Sequence, residues 1–142
     1  MAEIVLEDET LPETRAAILE GLVAYNAEQT GQGFGPPRNI ALALKHPETG
    51  SAIGGLTARV GFGRMFIELL FVPESLRGQR LGEKLMGEAE ALARQMGCMG
   101  IWLDTFSFQA PGFYKKLGYA EFGALSDYPP GFTRYFLHKS LD

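Results

Sequence analysis

The sequence predicts an α/β (α+β) chain built on one mixed sheet flanked by helices. Three observations carry that prediction. Strand-length apolar runs and helical stripes follow in the order strand, helix, three strands, helix, strand, helix, two strands. One helical stripe is long and regular: Leu81, Leu85, Ala89, Leu92 and Met96 are spaced four, four, three and four residues apart. A length of 142 residues at 46% hydrophobic content suffices for one domain with its own core, spanning 1–142.

Ile4-Val5-Leu6 reads as a short first strand. Thr10-Leu11-Pro12-Glu13 has the form of a capping box with Pro in the first turn, and Ile18, Leu19, Leu22 and Val23 give the following helix one apolar stripe. That helix is expected to stop near Gly31. The run from Gly31 to Pro37 is a loop, in which Phe34 is either a functional aromatic or a surface anchor. Asn39 to Lys45, Ala52 to Phe62 and Met65 to Val72 read as a three-stranded meander. Its turns fall at His46–Gly50 and at a tight hairpin, Gly61-Phe62-Gly63. The third strand lacks polar alternation, so both its faces are expected to be covered, with Glu68 the lone exception.

The long helix then presents Glu83, Lys84, Glu90 and Arg94 on its other faces and ends at Gly97. Met99 to Phe106 is a strand. Pro111 to Leu117 is a short helix, with Lys115 and Lys116 in its last turn and Gly118 as its stop. Tyr119 to Ala124 and Phe132 to Leu137 are the last strands, around a loop at Ser126–Gly131.

A net charge of −4 argues against nucleic acid as the main partner. No apolar run is long enough to span a bilayer, so no membrane association is expected. The N-terminus carries Glu3, Glu7, Asp8 and Glu9 where a signal peptide would be basic and apolar. Cys98 is the only cysteine, which excludes an internal disulfide and fits a reducing, cytoplasmic location. It reads as a small buried filler. No His, Cys and carboxylate cluster has metal-ligand spacing, so no metal is expected.

The most informative stretch is Phe71-Val72-Pro73-Glu74-Ser75-Leu76-Arg77-Gly78-Gln79-Arg80-Leu81-Gly82. There an apolar strand ends, an Arg/Gly turn follows and a helix begins. A helix N-terminus offers unpaired N–H groups and the positive end of its dipole, a natural seat for phosphate or pyrophosphate. Arg77 and Arg80 add charge beside it. No P-loop pattern is present, and no Gly-x-Gly-x-x-Gly in a βαβ setting.

Arg77-Gly78-Gln79-Arg80-Leu81-Gly82 resembles the acetyl-CoA signature (Gln/Arg-x-x-Gly-x-Gly/Ala) of the GCN5-related N-acetyltransferases, the GNAT family. Phe113-Tyr114-Lys115-Lys116-Leu117-Gly118-Tyr119 resembles that family's second landmark, a short helix ending in a Phe-Tyr…Gly-Phe/Tyr pattern. One helix and one strand lie between the two, as in the family, so the resemblance covers essentially the whole chain. It implies the GNAT-like acyl-CoA N-acyltransferase fold, with a central mixed, mostly antiparallel sheet flanked by helices.

The same resemblance implies direct transfer of an acyl group from acetyl-CoA, as cosubstrate, to an amine. The acceptor would be a small molecule or a protein amino group. Glu68, four residues before the strand ends, matches the position of a catalytic or amine-orienting carboxylate. Its apolar neighbours should raise its pKa toward useful base strength. A structural Glu is the alternative. Tyr114 matches the family's proton donor to the leaving thiolate, against a purely packing aromatic. Backbone N–H groups of Leu70, Phe71 and Val72 match the oxyanion contact. Arg77, Gly78, Gln79, Arg80, Leu81 and Gly82 would cradle the pyrophosphate.

Arg80 stands where the signature has its first Gly. The reading taken is that only its backbone N–H is used, so that positive φ is not required. Ser107, three residues before Ala110, replaces the family's usual Asn and is expected to bond the cofactor or cap the last helix. Asp104, Tyr128 and Tyr135 are acceptor-pocket candidates, with a satisfied strand-end carboxylate and a core tyrosine as alternatives for the first and last. A non-catalytic acyl-CoA sensor would keep the phosphate seat and lose Glu68 and Tyr114; an interaction domain would lose both. Dimers are common in the family, and the C-terminal strands offer an edge for a homodimer.

Overall fold

The computed structural model of the protein describes residues 1–31 and 36–141. Its contacts divide the chain into two compact units, Met1–Pro37 and Arg38–Asp142. The first holds helix α1 (Pro12–Thr30), which Gly31 ends in the left-handed conformation at φ 67°. The expected capping box does not form. Leu11 is the N-cap without a side-chain bond, and Glu7 caps the helix from outside. Its carboxylate accepts the Leu11 N–H at 3.0 Å and the Thr14 hydroxyl at 2.7 Å. Ile4-Val5-Leu6 forms no ladder. An apolar, β-branched run favours extension, but a strand exists only by pairing, and its own sequence does not supply the partner.

The second unit contains six strands: β1 (Arg38–Lys45), β2 (Ala52–Gly61), β3 (Arg64–Phe71), β4 (Gly100–Phe106), β5 (Ala120–Ser126) and β6 (Thr133–Ser140). They form one sheet in the order β1-β2-β3-β4-β6-β5. All neighbours are antiparallel except β3 and β4. A parallel pair needs a crossover. Here that is a 3₁₀ turn at Glu74–Leu76 followed by α2 (Leu81–Gln95), which packs on β2, β3 and β4. Helix α3 (Pro111–Lys116) connects β4 to β5.

The core lies between α2 and one face of the sheet. Leu85, Met86, Ala89 and Ala93 of α2 meet Met65, Ile67, Ile101, Leu103 and Leu137, all buried. Each large side chain buried there contributes about 1.5–3 kcal/mol. Leu92 and Met96 of the expected stripe pack at its edge. Glu90, expected on a solvated face, is instead buried. Cys98 is buried too, and burial pushes its thiol up, as a filler requires. The tight hairpin after β2 places Phe62 and Gly63 at φ 50° and 77°.

Covering of both faces of β3 fails in its second half. Met65 and Ile67 are buried, but Glu68, Leu69 and Phe71 are exposed. A β-bulge separates the two halves. Thr57 pairs with Leu69 and Ala58 with Ile67, so Glu68 is the extra residue with no partner opposite. Among the described residues, no helix is long and apolar enough to cross a membrane.

Candidate active site

The bulge opens the site. The parallel ladder of β3 and β4 runs from Arg64 and Gly100 to Ile67 and Leu103 and stops there. Beyond it β3 stays with β2 and β4 stays with β6, so the sheet forks. Peptide groups of β3 that faced β4 are left without ladder partners. Ligands of parallel sheets sit at such places, beyond the carboxyl ends of the strands.

A cavity of about 970 Å³ fills the fork, lined among others by Glu68, Leu70, Phe71, Asp104, Tyr114 and Arg134. A second, of about 540 Å³, lies under the turn into α2 and is lined by Val72, Arg77, Gly78, Arg80, Leu81 and Gly82. Leu70, Phe71, Ala110 and Phe113 line both. Two motifs far apart in sequence therefore meet at one wall.

The turn presents backbone donors and positive charge to the second cavity. Gly78 takes φ 87°, a conformation that costs a residue with a Cβ. Arg77 folds back, its Nε donating to the Val72 carbonyl at 3.4 Å. Arg80 corrects the expectation placed on it: it sits at φ 56°, ψ 30° as the N-cap of α2. The position does take the left-handed conformation, at a cost of about 1–2 kcal/mol for a non-glycine residue. The Lys84 N–H reaches the Arg80 carbonyl at 3.0 Å, the first intrahelical bond. The amides of Leu81, Gly82 and Glu83 precede it and have no helical acceptor. With two arginines lining the cavity, this donor set fits a pyrophosphate. Gln79 is in the turn but lines neither cavity.

Tyr114 is the buried titratable group of the fork. Burial first, and the Asp104 carboxylate second, push its phenol up to about 12. Glu68 is exposed at the rim, where its carboxylate accepts the Thr57 hydroxyl at 3.2 Å. The apolar enclosure expected around it is absent, because the bulge turns it out of the packed face. Asp104 is paired with Arg134 Nη2 at 2.6 Å. The Arg134 guanidinium lies over Phe106, Tyr128 and Phe136 at 5.4, 5.0 and 5.3 Å, and its Nε is buried without a partner. Asp104 is thus a satisfied carboxylate that still lines the cavity.

Tyr128 borders the cavity through Phe106, with ring centroids 5.7 Å apart. Tyr135 is not brought in. It alternates with Arg134 and Phe136 along β6 and packs against the core. Ser107 neither lines a cavity nor caps α3. Its hydroxyl accepts the Thr133 N–H at 3.0 Å, and Ala110 is the N-cap. Phe34 lies outside the described residues. Residues the sequence reading missed include Arg134, Arg59 over the Phe66 ring at 5.3 Å, and Gln109. The Gln109 side chain accepts the Phe106 N–H at 3.0 Å and closes the turn after β4. A lone cation in the apolar run Phe132–Leu137 was the available signal for Arg134.

Tyr119 is raised as well, by burial first and then by Glu90. Above pH ~10 an unfolded chain releases both phenolic protons while the fold retains them. Stability is therefore complete below that pH and falls as pH rises. The slope is about 2.7 kcal/mol per pH unit while both phenols differ between the two states. Alkaline denaturation followed by tyrosinate absorbance checks this: two phenols should ionise only as the chain unfolds.

Known proteins match this chain over most of its length. A family model described as Acetyltransferase (GNAT) family matches residues 5–119. Acetyltransferase Atu2258 of Agrobacterium fabrum (strain C58 / ATCC 33970) is 35% identical over 135 residues, 95% of this chain and 96% of that one. Blasticidin-S acetyltransferase of Streptomyces morookaense is 43% identical over 95 residues, 66% of this chain and 70% of that one. The crystal structure of an acetyltransferase from Bacillus cereus ATCC 14579 superposes with a TM-score of 0.80 at 35% identity, covering 96% of this chain and 98% of that one.

Proposed function

The chain belongs to the GNAT family of acetyltransferases, and from that premise we propose that it moves an acetyl group from acetyl-CoA to an amine, with Glu68 as base and Tyr114 as acid. The shared wall carries the reading. A ligand with pyrophosphate at one end and a reactive group at the other suits two cavities that meet at Leu70, Phe71, Ala110 and Phe113.

The turn from Arg77 to Gly82 holds the phosphates through backbone amides and guanidinium charge. Bound acetyl-CoA supplies an activated thioester carbonyl. Past the end of the β3–β4 ladder, those backbone N–H groups of Leu70–Val72 that point away from β2 are the donors available to developing negative charge. Glu68 takes the proton of the acceptor, an ammonium with a reference pKa of ~10.4, directly or through water. Its exposed rim position suits a group that must meet a hydrated cation. Tyr114, held protonated, lines the larger cavity and would donate a hydrogen bond to the leaving sulfur. Asp104, already engaged by Arg134, orders the far wall instead of competing as a second base. The acceptor is a small-molecule amine or a protein amino group.

Thiol release from acetyl-CoA, measured over a panel of amines that includes blasticidin S, tests the proposal. Release should depend on an amine, and Glu68→Gln should lower kcat/KM about 10²-fold. Tight acetyl-CoA binding without release on any amine would replace the enzyme with an acyl-CoA sensor.

A further inference from the structure

We propose that Glu90, Lys139 and Tyr119 form a positioning network that fixes α3 and thereby aims the Tyr114 hydroxyl into the fork. The inference rests on Tyr114 acting as the proton donor described above.

Helix α3 has six residues, too few to hold its own geometry. Its C-terminal end is held at two carbonyls, those of Tyr114 and Leu117. The Tyr119 N–H donates to the carbonyl of Tyr114 itself at 3.1 Å, across Gly118 at φ 97°. Lys139 Nζ, from β6, donates to the Leu117 carbonyl at 2.8 Å. The same ammonium donates to Glu90 Oε1 at 2.8 Å, and the Tyr119 hydroxyl donates to Glu90 Oε2 at 3.1 Å. One buried carboxylate on α2 thus holds the end of α3 through both of its oxygens. A cation placed on the last carbonyls also meets the negative end of the helix dipole.

The network adjoins Tyr114 directly. The Tyr119 ring meets the Tyr114 ring edge-on, with centroids 6.2 Å apart. Burying a carboxylate is costly unless its lone pairs are satisfied. An apolar residue at Glu90 would serve the core as well, so packing does not account for a charge there. Glu90, Lys139 and Tyr119 line neither cavity, so they act only through what they hold. The phosphate seat lies at the other end of α2 and does not depend on them.

The test is a kinetic cycle. Lys139→Met should lower kcat by up to about 10²-fold, the effect of a small misplacement of a reacting group. KM for acetyl-CoA should stay within about two-fold, and Lys139→Arg should recover most of the loss. In a Tyr114→Phe background, Lys139→Met should cost less than about three-fold, because the group it positions is gone. An undiminished loss in that background, or unchanged kcat in folded Lys139→Met, overturns the network. If Lys139→Met does not fold, Tyr119→Phe removes one hydroxyl and should show the same dependence on Tyr114 at smaller amplitude. The ¹³Cζ resonance of Tyr114, assigned by its loss in Tyr114→Phe, separates the two readings. If Tyr114→Phe alone keeps wild-type kcat, the proton-donor reading falls. A Tyr114 resonance unmoved by Lys139→Met sinks the positioning network whatever Tyr114 does.

Discussion

Calorimetry is expected to find no acetyl-CoA binding to Gly82→Trp, in a protein that melts as a folded domain. A Cβ at Gly82 would stand 3.3 Å from the Phe113 ring and 4.0 Å from Val72, both part of the cavity wall. The indole beyond it must enter the space of about 540 Å³ under the turn. Gly82 belongs to the first turn of α2 and not to its packed stripe, so the core should survive. Loss of at least 100-fold in affinity, about 2.7 kcal/mol, is the expected scale. Gly87→Trp is the control: a Cβ there meets nothing within 4 Å, and binding should be unchanged. Wild-type affinity in folded Gly82→Trp would remove the turn from the cofactor site.

Tyr114→Phe should lower kcat about 10²-fold and leave KM for acetyl-CoA nearly unchanged. The phenol at about 12 is fully protonated at neutral pH. Complete transfer to a thiolate of reference pKa ~8.5 would be uphill by about 5 kcal/mol. On the proposed function Tyr114 acts first as a hydrogen-bond donor to the leaving sulfur rather than by complete transfer. Its pH signature follows. An ordinary phenol begins to ionise near pH 10, but the wild-type kcat profile should show no fall assignable to Tyr114 until well above that. A falling limb near pH 10 that the Phe variant lacks would contradict the assignment.

The parts of the site that sequence reading located are those where backbone conformation dictates residue type. The turn at Arg77–Gly82 and the short helix before Gly118 are local structures, and glycine, proline and terminal charge announce them. Glu68 stood out by type, yet its exposure came from a bulge, and a bulge is a property of the pairing with β2 rather than of β3. Arg134 and Asp104 are 30 residues apart, and Lys139 and Glu90 are 49 apart. Such contacts exist only once β6 lies beside β4, an order no local pattern encodes. Ser107 shows the same limit. Its hydroxyl suits a cap or a cofactor in the chain alone, but the neighbouring strand takes it first. Ile4–Leu6 erred in the other direction, as propensity read without a partner.

The wall common to the two cavities has a thermodynamic corollary. Leu70, Phe71, Ala110 and Phe113 line both cavities, so on the proposed function a thioester that spans the wall and an amine in the larger cavity touch the same side chains, and their affinities are expected to be linked. Linkage is reciprocal: whatever factor acetyl-CoA adds to acceptor affinity, the acceptor returns to acetyl-CoA. With a typical coupling of about 1–3 kcal/mol, an amine screened against the bare protein would look 5- to 150-fold weaker than it is in use. The search for the acceptor therefore belongs in the presence of a non-transferable acyl-CoA analogue.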